Sequence, residues 1–124
     1  MKTKLFFLIS LLLMLLLAAC GGSAAEPTPI GDATAGKAKY ESTCIACHGV
    51  DGKGMPNLGK DLTASEFVQT TTDLDLVTFI AQGRPPGDAA NTTGIDMPPK
   101  GGNPALTEED IKNIVAYIRT LHVP

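Results

Sequence analysis

Tryptophan is absent from these 124 residues, and aromatic residues make up only 5% of the chain: four Phe and two Tyr. Phe6 and Phe7 sit in an N-terminal apolar run, so Tyr40, Phe67, Phe79 and Tyr117 are the aromatic stock of everything after it. A domain of roughly ninety residues with so few large side chains has a thin core, and a large apolar group held inside would fill it. Long hydrophobic runs are also missing. The longest, Leu5 to Leu17, is interrupted only by Ser10 and is thirteen residues long, short of the roughly twenty that span a bilayer. There is no basic excess: 10 Lys and Arg stand against 13 Asp and Glu, a net charge of −3, which gives no footprint for nucleic acid. No internal repeat and no strand-like alternation is visible, so the expected fold class is all-α with long loops.

The chain has three cysteines, Cys20, Cys44 and Cys47. Lys2 and Lys4 ahead of the apolar run form the basic start of an export signal. The run ends in Leu17-Ala18-Ala19-Cys20, which resembles the lipobox of bacterial lipoproteins. That resemblance implies cleavage before Cys20, a diacylglycerol on its thiol and often a further acyl chain such as palmitate on the new amino group. The alternative, ordinary cleavage near Ala19, leaves an odd free thiol in an oxidising compartment, which is a liability. One acyl chain binds a membrane marginally whereas two or three hold stably. The expectation is therefore a signal peptide over 1–19, a lipid-anchored flexible linker over 20–31 and a domain over 32–124. The domain would sit outside the cytoplasm, on the periplasmic or extracellular face of a bacterial membrane. Loss of Lys2 and Lys4 leaves 8 basic and 13 acidic residues, a net of −5. The tether, "GGSAAEPTPIG", reaches about 18 Å as a flexible chain.

Asp32 is placed to N-cap a helix from Ala33 to Cys44 or Ile45, with Gly36, Tyr40 and Cys44 on one face. Four glycines and a proline over 49–60 predict a loop, and a short helical turn is expected around Ser65 to Thr70. Thr72 with Asp75 resembles a capping box; Leu74, Val77 and Ile80 or Ala81 form a stripe, and Gly83 stops that helix. Residues 84–104 hold five prolines and four glycines, an irregular stretch unusual in a compact domain unless it has a task. The last helix starts at Thr107, with Glu108, Glu109 and Asp110 suited to its positive end, Arg119 in its last turn, and Ile111, Ile114, Val115, Ile118 and Leu121 as its buried stripe. The acidic triplet reads as capping rather than as a docking patch.

Cys44-Ile45-Ala46-Cys47-His48 is a C-x-x-C-H sequence, the attachment signature of c-type haem. Two thiols three residues apart at a helix end can each add to one vinyl group, and the adjacent imidazole then supplies an axial nitrogen. A thioredoxin-like pair would need a preceding strand and a βαβ context. A structural zinc site would need more ligands than His122 provides, with Cys20 committed to the leader. A plain Cys44–Cys47 disulfide would leave the thin core unexplained. The sixth iron position is then to be filled from Met55, Met97 or His122, or left open, since Met1 and Met14 leave with the signal. Seven residues reach about 24 Å when extended, so distance does not remove Met55. Arg84, just after Gly83, is a candidate partner for a haem propionate; a solvated loop arginine is the plainer alternative.

The stretches "AGKAKYESTCIACHG", "GMPNL", "DMPPKGG" and "LTEEDIKNIVAYIRTL" together resemble a class I monohaem cytochrome c, from about Asp32 to the end of the chain. The resemblance implies a small fold of three to four helices and long loops around one covalently bound haem, with first and last helices crossing. It implies that Gly36 lets those helices approach and that Tyr117 packs near the crossing. It also implies that Pro56 lends its carbonyl to the His48 N–H, that Met55 is only a neighbour, and that Met97 is the axial thioether. With both axial sites filled there is no room for a small-molecule substrate, and the implied task is one-electron transfer between protein donors and acceptors. The carrier would be a tethered shuttle or a cytochrome c subunit of a quinol-oxidising or oxidase complex, in a respiratory or photosynthetic chain. The alternative is an open-site haem protein with peroxidase or gas-binding activity.

Overall fold

A computed structural model describes residues 29–122, and among them there are five α-helices and no strand. The signal segment, Cys20 and most of the tether lie outside the described residues. The helices are α1 (Ala33–Thr43), α2 (Ile45–His48), α3 (Glu66–Thr70), α4 (Asp73–Gln82) and α5 (Glu108–Leu121), with a 3-10 turn at Pro99–Gly102. One helix more than expected appears because Cys44 ends α1 in helical geometry and a single further turn follows it at once. No helix among the described residues is long and apolar enough to cross a membrane.

Side chains fix the helix starts. The Asp32 carboxylate accepts from the Thr34 and Ala35 N–H groups at 2.7 and 3.2 Å. Thr107 and Asp110 form a reciprocal capping box, with Asp110 N–H to the Thr107 hydroxyl at 3.1 Å and Thr107 N–H to the Asp110 carboxylate at 3.0 Å. That bond to Thr107 N–H, followed by the Lys39 ammonium, holds the Asp110 carboxyl down at about 2. The expected box at Thr72 is half formed: its hydroxyl caps Asp75 N–H at 3.2 Å, but the Asp75 carboxylate turns back onto the hydroxyl at 2.7 Å.

The α1–α5 crossing organises the rest. A Cβ on Gly36 would lie 1.8 Å from the Asn113 carbonyl oxygen, so only glycine lets the two backbones meet there. Beside it the rings of Tyr40 and Tyr117 stand 5.2 Å apart at 60°, and the buried Tyr40 hydroxyl donates to Gly49 O at 2.8 Å. One contact begins before the expected boundary at Asp32, where Ile30 packs on the core; at the boundary Asp32 N–H reaches the Asn113 side chain at 2.7 Å. Arg119 fastens α5 to the α3–α4 corner through Asp73 at 2.8 Å, Thr71 O at 2.6 Å and Val68 O.

The α5 stripe is buried as expected except Leu121, which is half-buried, and Ala116 and Tyr117 join it. The α4 stripe needs a correction. Leu74 is 65% exposed, and Leu76 (2%) takes the inner place with Val77 and Ile80. Residues 76, 77 and 80 set the inward face, which is centred about 110° around the helix axis from Leu74.

Candidate haem site

The one-turn helix α2 collects the three groups of the C-x-x-C-H motif. Backbone bonds from His48 N–H to Cys44 O (3.0 Å) and from Gly49 N–H to Ile45 O (2.9 Å) close the turn, and Gly49 at φ +75° ends it. Positions i, i+3 and i+4 of such a turn share a face, and Cys44, Cys47 and His48 all line one cavity of about 380 Å³. The two thiols are free, not joined in a disulfide. Burial, helped by the neighbouring Cys47, pushes the Cys44 thiol up to about 11. Among the described residues no three His, Cys, Asp or Glu side chains group to hold a metal ion, so the structural-zinc reading has no ligand set.

His48 Nδ1 lies 2.9 Å from the carbonyl oxygen of Lys60. A carbonyl accepts only, so Nδ1 carries the proton and Nε2 keeps the lone pair that can bind iron. This corrects the expected role of Pro56, which is exposed and absent from the cavity wall. The loop leaving His48 first spends its N–H groups on the motif itself: Gly54 N–H bonds His48 O at 2.7 Å and Met55 N–H bonds Cys47 O at 2.9 Å. A turn over 55–59 then carries Met55 and Pro56 outward, and Met55 is 45% exposed. Gly59 brings the chain back so closely that a Cβ there would meet Cys47 O at 2.0 Å, and this return places the Lys60 carbonyl on the imidazole. His122, one of the candidates for the sixth position, is half-buried with Nδ1 on Thr63 O at 2.9 Å, and it does not line the cavity.

Met97 lines the cavity that His48 lines, and Met55 does not. Its backbone is paired with Arg84 in both directions, at 2.8 and 3.0 Å. Gly83, at φ +73°, packs against it; a Cβ there would lie 2.2 Å from Met97 O.

Arg84 also faces the cavity. Its guanidinium carbon lies 4.5 Å from the Phe79 ring centroid and 4.8 Å from that of Phe67. Those rings meet edge to face at 5.0 Å. The Arg84 Nε is buried with no hydrogen-bond partner. The Asp88 carboxylate at 3.9 Å is close enough for charge attraction and too far for a hydrogen bond. A buried N–H without an acceptor requires an explanation, and an acidic group at the periphery of a bound haem supplies one. Free thiols at the right spacing, an imidazole with its outer nitrogen fixed, a thioether, an apolar floor including Leu76, Ile80 and Ile114, and this orphaned donor together fit haem.

Sequence reasoning missed Lys60, whose contribution is a backbone atom, and the cavity roles of Phe67 and Phe79. Asn91, which also lines the cavity, carried only a turn signal in Asn91-Thr92-Thr93-Gly94.

Compared with known proteins, residues 31–118 match the family described as cytochrome C oxidase, cbb3-type, subunit III. The chain is similar to cytochrome c-555 of Chlorobaculum thiosulfatiphilum, 33% identical over 87 residues, which cover 70% of this chain and 93% of that protein. It is similar to cytochrome c-554(547) of Halothiobacillus neapolitanus, 37% identical over 97 residues, 73% of this chain and 98% of the relative. It also matches the cbb3-type cytochrome c oxidase subunit CcoP of Rhodobacter capsulatus, 28% identical over 99 residues, 79% of this chain but 32% of that subunit. No solved structure matches.

Proposed function

Because this chain belongs to the class I monohaem cytochrome c family, whose members bind one c-type haem covalently, we propose that it is a lipid-anchored one-electron carrier with His48 and Met97 as axial ligands. The haem iron, when bound, takes up and releases one electron. The protein's share is to attach the group through Cys44 and Cys47, to present His48 Nε2 by holding Nδ1–H on Lys60 O, to offer Met97 from a glycine-packed loop, and to meet a propionate with Arg84. The observation that carries the reading is that one cavity joins the C-x-x-C-H turn to a methionine forty-nine residues away, and passes over the methionine seven residues away.

The partners are protein donors and acceptors of a respiratory or photosynthetic chain. The likeness to an oxidase subunit supports a place beside a terminal oxidase or quinol-oxidising complex, as tethered shuttle or as subunit. The Leu17-Ala18-Ala19-Cys20 sequence supports attachment of lipid at Cys20, outside the cytoplasm on the periplasmic or extracellular face of a bacterial membrane.

A ferric spectrum of the holoprotein tests the ligation. The long-wavelength sulfur–iron band is expected in the native protein and in Met55→Ala, and is lost in Met97→Ala. A high-spin native ferric haem would favour the open-site alternative and overturn this assignment. Cys20→Ala is expected to move the protein from the membrane fraction to the soluble one. A variant that stays with the membrane rules the lipid anchor out.

A further inference from the structure

Arg84 and Met97 bond each other through both backbone N–H groups, so residues 85–96 form a closed loop, with no helix or strand of its own. One side chain inside it makes five bonds. The Asn91 amide nitrogen donates to Pro85 O at 3.1 Å and to Ile95 O at 2.7 Å. Its oxygen accepts from Thr93 N–H at 3.2 Å, the Thr93 hydroxyl at 3.1 Å and Gly94 N–H at 3.0 Å. A carboxamide has two donors and one acceptor oxygen, so this one is fully used. Pro85 follows Arg84 directly and Ile95 lies two residues before Met97, so a single amide holds both legs of the loop. Next to it, Thr92 takes the ammonium of Lys60, the residue whose carbonyl orients His48.

We propose that Asn91 is a positioning residue for the sixth iron ligand: it keeps the Arg84–Met97 pair closed and so holds the thioether on the metal. This rests on the His48/Met97 ligation proposed above. The Met97 sulfur can leave the iron only to the extent that the loop opens, and local opening is governed by the bonds within the opening unit. Every bond lost from the Asn91 amide raises the open fraction. An external ligand for ferric haem then binds with an apparent affinity that rises with that fraction.

The test uses the ferric holoprotein, the sulfur–iron band and titration with imidazole. Asn91→Ala is expected to weaken the band and tighten imidazole binding by about thirtyfold, the effect of losing the two ordinary hydrogen bonds to Pro85 O and Ile95 O, with Met97→Ala as the upper limit. Asn91→Asp keeps the acceptor but sets a carboxylate oxygen against two carbonyls, and shifts affinity the same way; it carries the test if Asn91→Ala does not accumulate. Thr107→Ala removes a helix cap elsewhere and controls for general loss of stability; its imidazole affinity is expected to stay within about twofold of the native value. The inference falls if both Asn91 variants stay within that margin, or if Thr107→Ala tightens imidazole as much as they do. A native spectrum without the sulfur–iron band sinks the ligation assignment first, before any Asn91 variant is made, and takes this inference with it.

Discussion

Two irregular segments, 44–60 and 84–97, each bring a prospective iron ligand to the same cavity, and they are held in different ways. The first is held by its own backbone. The α2 turn, two N–H bonds returning to Cys47 O and His48 O, and the close return at Gly59 are contacts between residues at most twelve apart. The second is pinned at its ends by one backbone pair and inside by the Asn91 side chain. Neutral hydrogen bonds of this kind are worth about 1 kcal/mol each, so the second segment has an opening equilibrium that a single side chain can shift. The first does not: a helical turn fixes it, and the thioethers proposed at Cys44 and Cys47 would fix it further. On the proposed ligation, covalent attachment falls on the inflexible side and the adjustable ligand on the other.

The largest effect should come from breaking the first segment. Cys44→Ala with Cys47→Ala removes both proposed attachment points around a cavity of about 380 Å³ in a domain with four aromatic rings. Haem staining on a denaturing gel should vanish, and the far-ultraviolet helix signal should fall with it, because the emptied core buries too little apolar surface. Retention of full native helicity without haem would show that the polypeptide core suffices alone.

A matched pair of glycines sharpens the contrast. Gly59→Ala and Gly83→Ala each press a methyl group into a carbonyl, of Cys47 at 2.0 Å and of Met97 at 2.2 Å. Overpacking of this sort costs about 1–3 kcal/mol. At Gly83 the left-handed φ of +73° adds to the strain. The consequences should differ in kind. Gly59→Ala should lower the denaturation midpoint with the sulfur–iron band retained at moderate denaturant, since the thioethers keep His48 in place. Gly83→Ala should lose the band while covalent haem remains. Equal loss of the band in both would mean that the two segments yield together.

The same contrast explains what could be read from the residues alone. The C-x-x-C-H turn, the Asp32 and Thr107 caps and the α5 stripe depend on near neighbours in the chain, and the structure has them where the pattern puts them. Leu74 was misplaced because a ten-residue helix offers two overlapping apolar rows, and only the position of α5 and the cavity decides which turns inward. Lys60 could not be found from its side chain, since every residue carries the same carbonyl. Asn91 was invisible for a different reason: an Asn-Thr-Thr-Gly stretch signals a turn, and only the folded loop shows that Pro85 and Ile95 lie within reach.

Pro56→Ala should have the smallest effect and tests the correction at the proximal side. Pro56 is exposed and makes no part of the cavity wall, and its neighbours Met55 and Leu58 bond each other rather than the imidazole. Removing the ring loosens the unfolded chain and costs under about 1 kcal/mol. The reduction potential should not move, because the His48 Nδ1–H bond ends on Lys60 O, and that bond sets the basicity of the ligand. Inserting one glycine between Gly59 and Lys60 should do what Pro56→Ala does not. It displaces the Lys60 carbonyl, makes the imidazole a weaker donor and shifts the potential upward. Alanine keeps the carbonyl of residue 56, so a clear upward shift in Pro56→Ala itself would mean that the rigid turn at Pro56 positions the imidazole's partner, and would undo the difference between Pro56 and Lys60.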